Sequence, residues 1–81
     1  MSKTFTVYSR RGCQACEDMI AELEFSPELK GIALEVVDVD ADAELAQKYG
    51  WHVPVLLLNG SEVCRHTLDM EKLHVSLAQQ G

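Results

Sequence analysis

Thr4 to Cys16 reads TFTVYSRRGCQAC and passes from one periodicity to another. Thr4 to Ser9 is β-branched and aromatic, which predicts a strand. Ser9, Arg10, Arg11 and Gly12 break it. From Cys13 to Phe25 the apolar residues Cys16, Met19, Ile20 and Leu23 fall on one helical stripe. Gln14, Glu17, Asp18 and Glu22 lie off that stripe. Ser26-Pro27 ends the helix, because the residue before a proline is pushed out of the α region. A C-x-x-C pair, Cys13 and Cys16, therefore sits where a strand hands over to a helix.

The rest of the chain continues the alternation. Ile32 to Val39 (IALEVVDV) predicts a second strand, with apolar residues on both sides as in a strand covered on both faces. Asp40 and Asp42 are expected to cap a short helix reaching Tyr49, with Leu45, Ala46 and Tyr49 on its apolar side. Gly50 suits a left-handed position just past its end. Val53 to Leu58 (VPVLLL) is continuously apolar and predicts an inner strand. Asn59-Gly60 is a hairpin signal, and Glu62 to His66 predicts the return strand. Asp69 is the expected cap of a closing helix, with Leu68 and Leu73 at staple spacing and Met70, Leu73 and Leu77 facing inward.

The predicted order is β-α-β-α-β-β-α. Strand-helix-strand crossovers are right-handed in about 98% of cases, so the first two strands are expected to be parallel neighbours. The tight turn makes the last two antiparallel. The expected fold class is α/β, with a four-stranded mixed sheet flanked by helices.

The chain has 81 residues, which allows one domain over residues 1–81. With 47% hydrophobic and 25% charged residues it is a folding sequence. Its net charge of −6 offers no footprint for nucleic acid and no attraction to an anionic membrane. The longest fully apolar run, Val53 to Leu58, is far short of the roughly 20 residues that cross a bilayer. Met1 to Thr6 holds one lysine and no apolar core, so no secretory signal is expected. Secreted disulfide scaffolds of this size normally carry an even number of cysteines, and this chain has 3. A reduced, cytoplasmic chain with thiols free for chemistry is expected.

The position of the cysteine pair suggests its chemistry. Residues i and i+3 of a helix share a face, so the two sulfurs come within bonding reach. Cys13 starts the helix, where unpaired N–H groups and the macrodipole favour an anion. The thiolate is the reactive form. Cys16 lies a turn further on, along the stripe with Ile20 and Leu23, and is expected to be shielded. Cys13 then attacks a disulfide and Cys16 resolves the mixed disulfide. Arg10 and Arg11 favour the Cys13 thiolate, whereas Glu17 and Asp18 oppose it. Two other readings stand beside this one. The cysteines could be ordinary core residues, since free cysteine is often buried. Alternatively, Cys13, Cys16, Cys64 and His66 could form a zinc set in a non-catalytic binding module, with Cys64 and His66 on one face of a strand.

The chain resembles small, divergent glutaredoxin-like proteins of the thioredoxin-fold superfamily. VYSRRGCQAC (Val7 to Cys16), VVDVDAD (Val36 to Asp42) and YGWHVPVLLLNG (Tyr49 to Gly60) carry the resemblance. It implies a thiol-disulfide oxidoreductase with Cys13 as nucleophile and Cys16 as resolving thiol. It also implies a cis Val53-Pro54 bond facing the cysteines, although only about 5–6% of X–Pro bonds are cis. In that pattern the backbone of Val53 receives an extended substrate and Pro54 lines the groove. Trp51, just before them, is expected either to flank that groove or to pack on the edge of the sheet. Arg10 stands where glutaredoxins commonly place a base that meets a glutathione carboxylate. No bound cofactor is implied. Glutathione is the expected co-substrate, and the expected partners are protein disulfides and either glutathione or a thioredoxin-type reductase, with the protein a monomer. The chain departs from the pattern between its cysteines, where it has Gln14 and Ala15 in place of proline and tyrosine. Past the last strand it reads Arg65-His66-Thr67-Leu68-Asp69 in place of Gly-Gly and acidic residues. Cys64 is expected to be a half-buried strand residue.

Overall fold

A computed structural model describes residues 3–80 of the chain; Met1 and Ser2, the start of the stretch read for a signal, lie outside them. Its strands are β1 (Thr4–Ser9), β2 (Ala33–Asp38), β3 (Val55–Leu58) and β4 (Ser61–Arg65). Its helices are α1 (Gln14–Phe25), α2 (Ala43–Tyr49) and α3 (Met70–Gln80). Short 3₁₀ turns at Pro27–Leu29 and Val39–Ala41 follow α1 and β2. The sheet order is β2-β1-β3-β4. β1 runs parallel to β2, whereas β1 with β3 and β3 with β4 are antiparallel. This is the mixed four-stranded α/β arrangement expected from the element order. Among the described residues no helix is long and apolar enough to cross a membrane.

Register builds the core. Phe5 pairs with Leu58, Val7 with Leu56, and Leu56 with Cys64, so these side chains share one face of the sheet. Met19 and Leu23 of α1 and Leu73 of α3 complete the same buried cluster. On the other face Tyr8 lies opposite Val55, and its ring meets Tyr49 of α2 at 4.8 Å. Cover on both faces explains why all four residues of β3 are buried. β4 carries an irregularity opposite Leu56 and Leu57, so that Val63 has no partner of its own. The extra residue lets two neighbours, Val63 and Cys64, enter the core together, which strict alternation forbids. Cys64 is thus buried, not half-buried.

The turn between β3 and β4 has positive φ at both Asn59 (51°) and Gly60 (86°), as the hairpin signal requires. Asn59 also reaches sideways: its Oδ1 accepts the Thr4 N–H at 2.9 Å, and its N–H donates to the Thr4 carbonyl at 2.9 Å. The turn is therefore tied to the start of β1.

Three local expectations are corrected. Among the described residues β2 is an edge strand that pairs only with β1, and none of its residues is buried. Val36 is 49% exposed, so the helices do not cover both faces at this edge. Its β-branched residues suit a pleated strand without requiring burial. Asp42 caps α2, accepting the N–H groups of Glu44 and Leu45, but Asp40 caps nothing. Asp38 caps the 3₁₀ turn there, and Asp40 turns to another partner described below. Finally, Gly50 is right-handed (φ −53°, ψ −33°). It is glycine for lack of room, not for handedness.

Candidate active site

Cys13 is the N-cap of α1, with extended φ and ψ (−96°, 105°). Its Sγ accepts the backbone N–H of Cys16 at 3.2 Å. A sulfur at an N-cap faces the free N–H groups of the first turn, which favour negative charge. Cys16 lies one turn on and is only 1% exposed, whereas Cys13 is partly open to solvent. The two are joined by a disulfide, with Cα atoms 5.3 Å apart. The asymmetry expected from the sequence is present: one accessible sulfur at a helix start and one shielded behind it.

The pairing of Tyr8 with Val55 puts Val53 and Pro54 beside the end of β1, from which the chain continues towards Cys13. The Val53-Pro54 bond is cis. Pro54 is buried and Val53 half-buried. Among the described residues the Val53 N–H and carbonyl make no hydrogen bond. The Pro54 carbonyl accepts the His66 N–H at 2.7 Å. His66 lines a small recess of about 110 Å³ together with Ala15, which stands between the two cysteines. Trp51 is 89% exposed. Two roomier recesses, about 350 and 360 Å³, lie under the end of α1 and between β4 and α3, and neither cysteine of the pair lines them.

Arg10 ties the two loops together. Its Nε and Nη2 donate to the Asp40 carboxylate at 2.9 and 2.8 Å, and its Nη1 donates to the Gly50 carbonyl at 3.0 Å. Its own carbonyl accepts the Cys13 N–H at 3.2 Å. The paired guanidinium holds the Asp40 carboxyl below the usual carboxylate range, chiefly by hydrogen bonding. The Arg10 charge is thus matched by Asp40, while Arg11 stays exposed near Cys13. A Cβ on Gly50 would meet the Ala46 carbonyl and lie 3.1 and 3.3 Å from the Arg10 Nη2 and Nη1 atoms. Gly50→Ala is accordingly expected to destabilise the protein by about 1–3 kcal/mol, the usual range for overpacking. Thermal melting checks this, and an unchanged melting temperature would show that the contact yields freely. The acidic run Asp38 to Asp42 was the sequence signal for this clamp, but nothing local tells a cap from a distant partner.

Cys64 stays inside the core, and burial pushes its thiol pKa up. That is the opposite of what a reactive thiol needs. His66 has φ of 75°, which ends the strand alternation and leaves it exposed while Cys64 is buried. Among the described residues no three His, Cys, Asp or Glu side chains are grouped to hold a metal ion. The zinc set of Cys13, Cys16, Cys64 and His66 is therefore not assembled. His52 and His66 stack instead, with ring centroids 5.8 Å apart and planes 20° from parallel.

A β-α-β-α-β-β-α chain with a cysteine pair at the start of α1 and a cis-proline before β3 defines a thioredoxin-fold protein. Comparison with known proteins narrows the class. Residues 4–78 match the family model of the Glutaredoxin-like domain (DUF836), and the chain belongs to that family. Protein Ne2328 from Nitrosomonas europaea, a solution structure, is 32% identical with a TM-score of 0.81, covering 94% of this chain and 92% of that one. Thioredoxin-2 of the malaria parasite, described as a component of its protein secretion machinery, is 25% identical with a TM-score of 0.62, over 99% of this chain and 84% of that one. Fasciola hepatica thioredoxin is 22% identical with a TM-score of 0.59, over 99% and 82%. No curated protein matches the sequence. The fold, the family and a cysteine pair at disulfide distance are compatible with redox chemistry.

Proposed function

We propose that the protein is a dithiol thiol-disulfide oxidoreductase that reduces protein disulfides or glutathione mixed disulfides. The observation that carries this is the Cys13 sulfur at the N-cap of α1, accepting the Cys16 N–H, with Cys16 shielded behind it. In the reduced form the Cys13 thiolate attacks one sulfur of the substrate disulfide. A Cys13–substrate disulfide forms, and the other substrate sulfur leaves as a thiolate and takes a proton from water. Cys16 then loses its proton, attacks the Cys13 sulfur and releases the second substrate thiol. Two electrons have passed to the substrate, and the Cys13–Cys16 disulfide remains. Glutathione or a thioredoxin-type reductase returns the two electrons in the cytoplasm.

Val53 presents its backbone to the substrate, Pro54 lines the groove and Trp51 flanks it, with the protein acting as a monomer. The Val53 N–H and carbonyl, unpaired among the described residues, support this placement, since an extended chain completes them by strand addition. A substrate carboxylate at Arg10 meets a guanidinium already paired with Asp40. Trapping tests the proposal. Cys16→Ser removes the resolving thiol, so a reduced preparation mixed with a disulfide substrate is expected to accumulate a mixed disulfide at Cys13, located by peptide mass mapping. An adduct confined to Cys64, or none at all, would refute it.

A further inference from the structure

His66 occupies a backbone conformation that side chains rarely adopt. Its φ is 75°, in the left-handed region where glycine is at ease. Non-glycine residues held there by their surroundings concentrate at functional sites, and the inference runs from the observed outlier to a role. Two contacts leave from this residue. Its N–H donates to the Pro54 carbonyl at 2.7 Å, which any residue at this position could do. Its imidazole stacks on His52, a contact that needs a planar side chain and that glycine cannot make. His52 immediately precedes Val53, whose backbone groups are unpaired among the described residues, and its own N–H is anchored to the Tyr49 carbonyl at 2.8 Å. Both rings are exposed, so their stack is worth no more than the strain costs and does not explain histidine here through stability.

We propose that His66 is a positioning residue, whose ring braces His52 and so holds the stretch from Trp51 to Pro54 in the form that receives the substrate chain. This rests on the redox reading above and adds a determinant of substrate affinity at the same site. The brace completes a frame: Arg10 grips the loop at the Gly50 carbonyl, and His66 grips it at Pro54 and His52. A loop held before binding loses less freedom on binding, so its effect falls on affinity and not on the sulfur chemistry.

His66→Gly keeps the N–H, removes the ring and relieves the backbone. The expected result is a melting temperature equal to or above that of the parent chain. With a peptide disulfide substrate, KM is expected to rise about fivefold with kcat within about twofold. Iodoacetamide, too small to need the groove, is expected to alkylate Cys13 at the parent rate. Trp51 is the only tryptophan, so its fluorescence anisotropy reports the loop directly and is expected to fall in His66→Gly. His52→Ala is expected to reproduce the KM effect, and the double variant to add little to either. A parent-like KM and anisotropy in His66→Gly would overturn the proposal. So would a lower melting temperature, which makes the ring structural, or slower alkylation, which places its effect at the thiolate. The anisotropy holds no matter whether the chain turns over a disulfide. Failure of the redox reading, seen as Cys13-independent reduction, is thereby distinguished from failure of the brace.

Discussion

Cys13→Ser is expected to lower disulfide reduction by on the order of a thousandfold or more while the protein melts at nearly the temperature of the reduced parent chain, in which the Cys13–Cys16 disulfide is likewise open. The two halves of this result come from one position. Serine is among the preferred N-cap residues, so its hydroxyl takes over the contact with the Cys16 N–H that the sulfur makes now. The helix keeps its start and the fold its stability. The chemistry is lost because a hydroxyl at neutral pH does not ionise to a nucleophile as a thiol at a helix start does, and removing a nucleophile costs a reaction most of its acceleration. Steady-state reduction of a protein disulfide, with a thermal melt of the same sample, measures both. A residual rate within about tenfold of the parent chain would mean that another group attacks, and the proposed function would fall. Cys64 is a poor replacement, being buried with its thiol pKa pushed up.

Leu56→Ala is expected to remove about 2–5 kcal/mol of stability, the usual cost of truncating a fully buried leucine. Leu56 has no exposed surface and stands between Val7 and Cys64 on the core face of the sheet. At roughly 0.05–0.15 kcal/mol per residue, a chain of this length has only about 4–12 kcal/mol to lose. Urea unfolding followed by circular dichroism is expected to show a midpoint lower by about 1 M or more, with the slope nearly unchanged. Val36→Ala on the exposed edge strand provides the contrast, with an expected change within about 0.5 kcal/mol. Equal losses at the two positions would contradict the burial described for β2 and β3.

The two variants also separate what was legible from what was not. Cys13 was readable as a helix start because Gly12 breaks the strand before it and the stripe from Cys16 to Leu23 begins after it. Leu56 was readable as core because a continuous apolar run ends at Asn59-Gly60. The same reasoning places Val36 inside, whereas it is 49% exposed. An apolar strand reads alike at the centre of a sheet and at its edge, and only the order β2-β1-β3-β4 tells them apart. Cys64 shows the reverse error, since a one-residue irregularity in β4 moves it fully into the core.

Periodicity, proline and glycine breaks and capping residues act within a few residues of chain. Hence the succession of elements, the tight hairpin and the accessible and shielded cysteines could all be read from the amino acids in order. Arg10 meeting Asp40, Gly50 left bare beneath a guanidinium, and His66 bent left-handed against His52 required the folded chain. Each joins groups brought close by strand pairing, as with Arg10 and Asp40 at a sequence separation of 30, and no local pattern records which distant partner a charge or a ring will find.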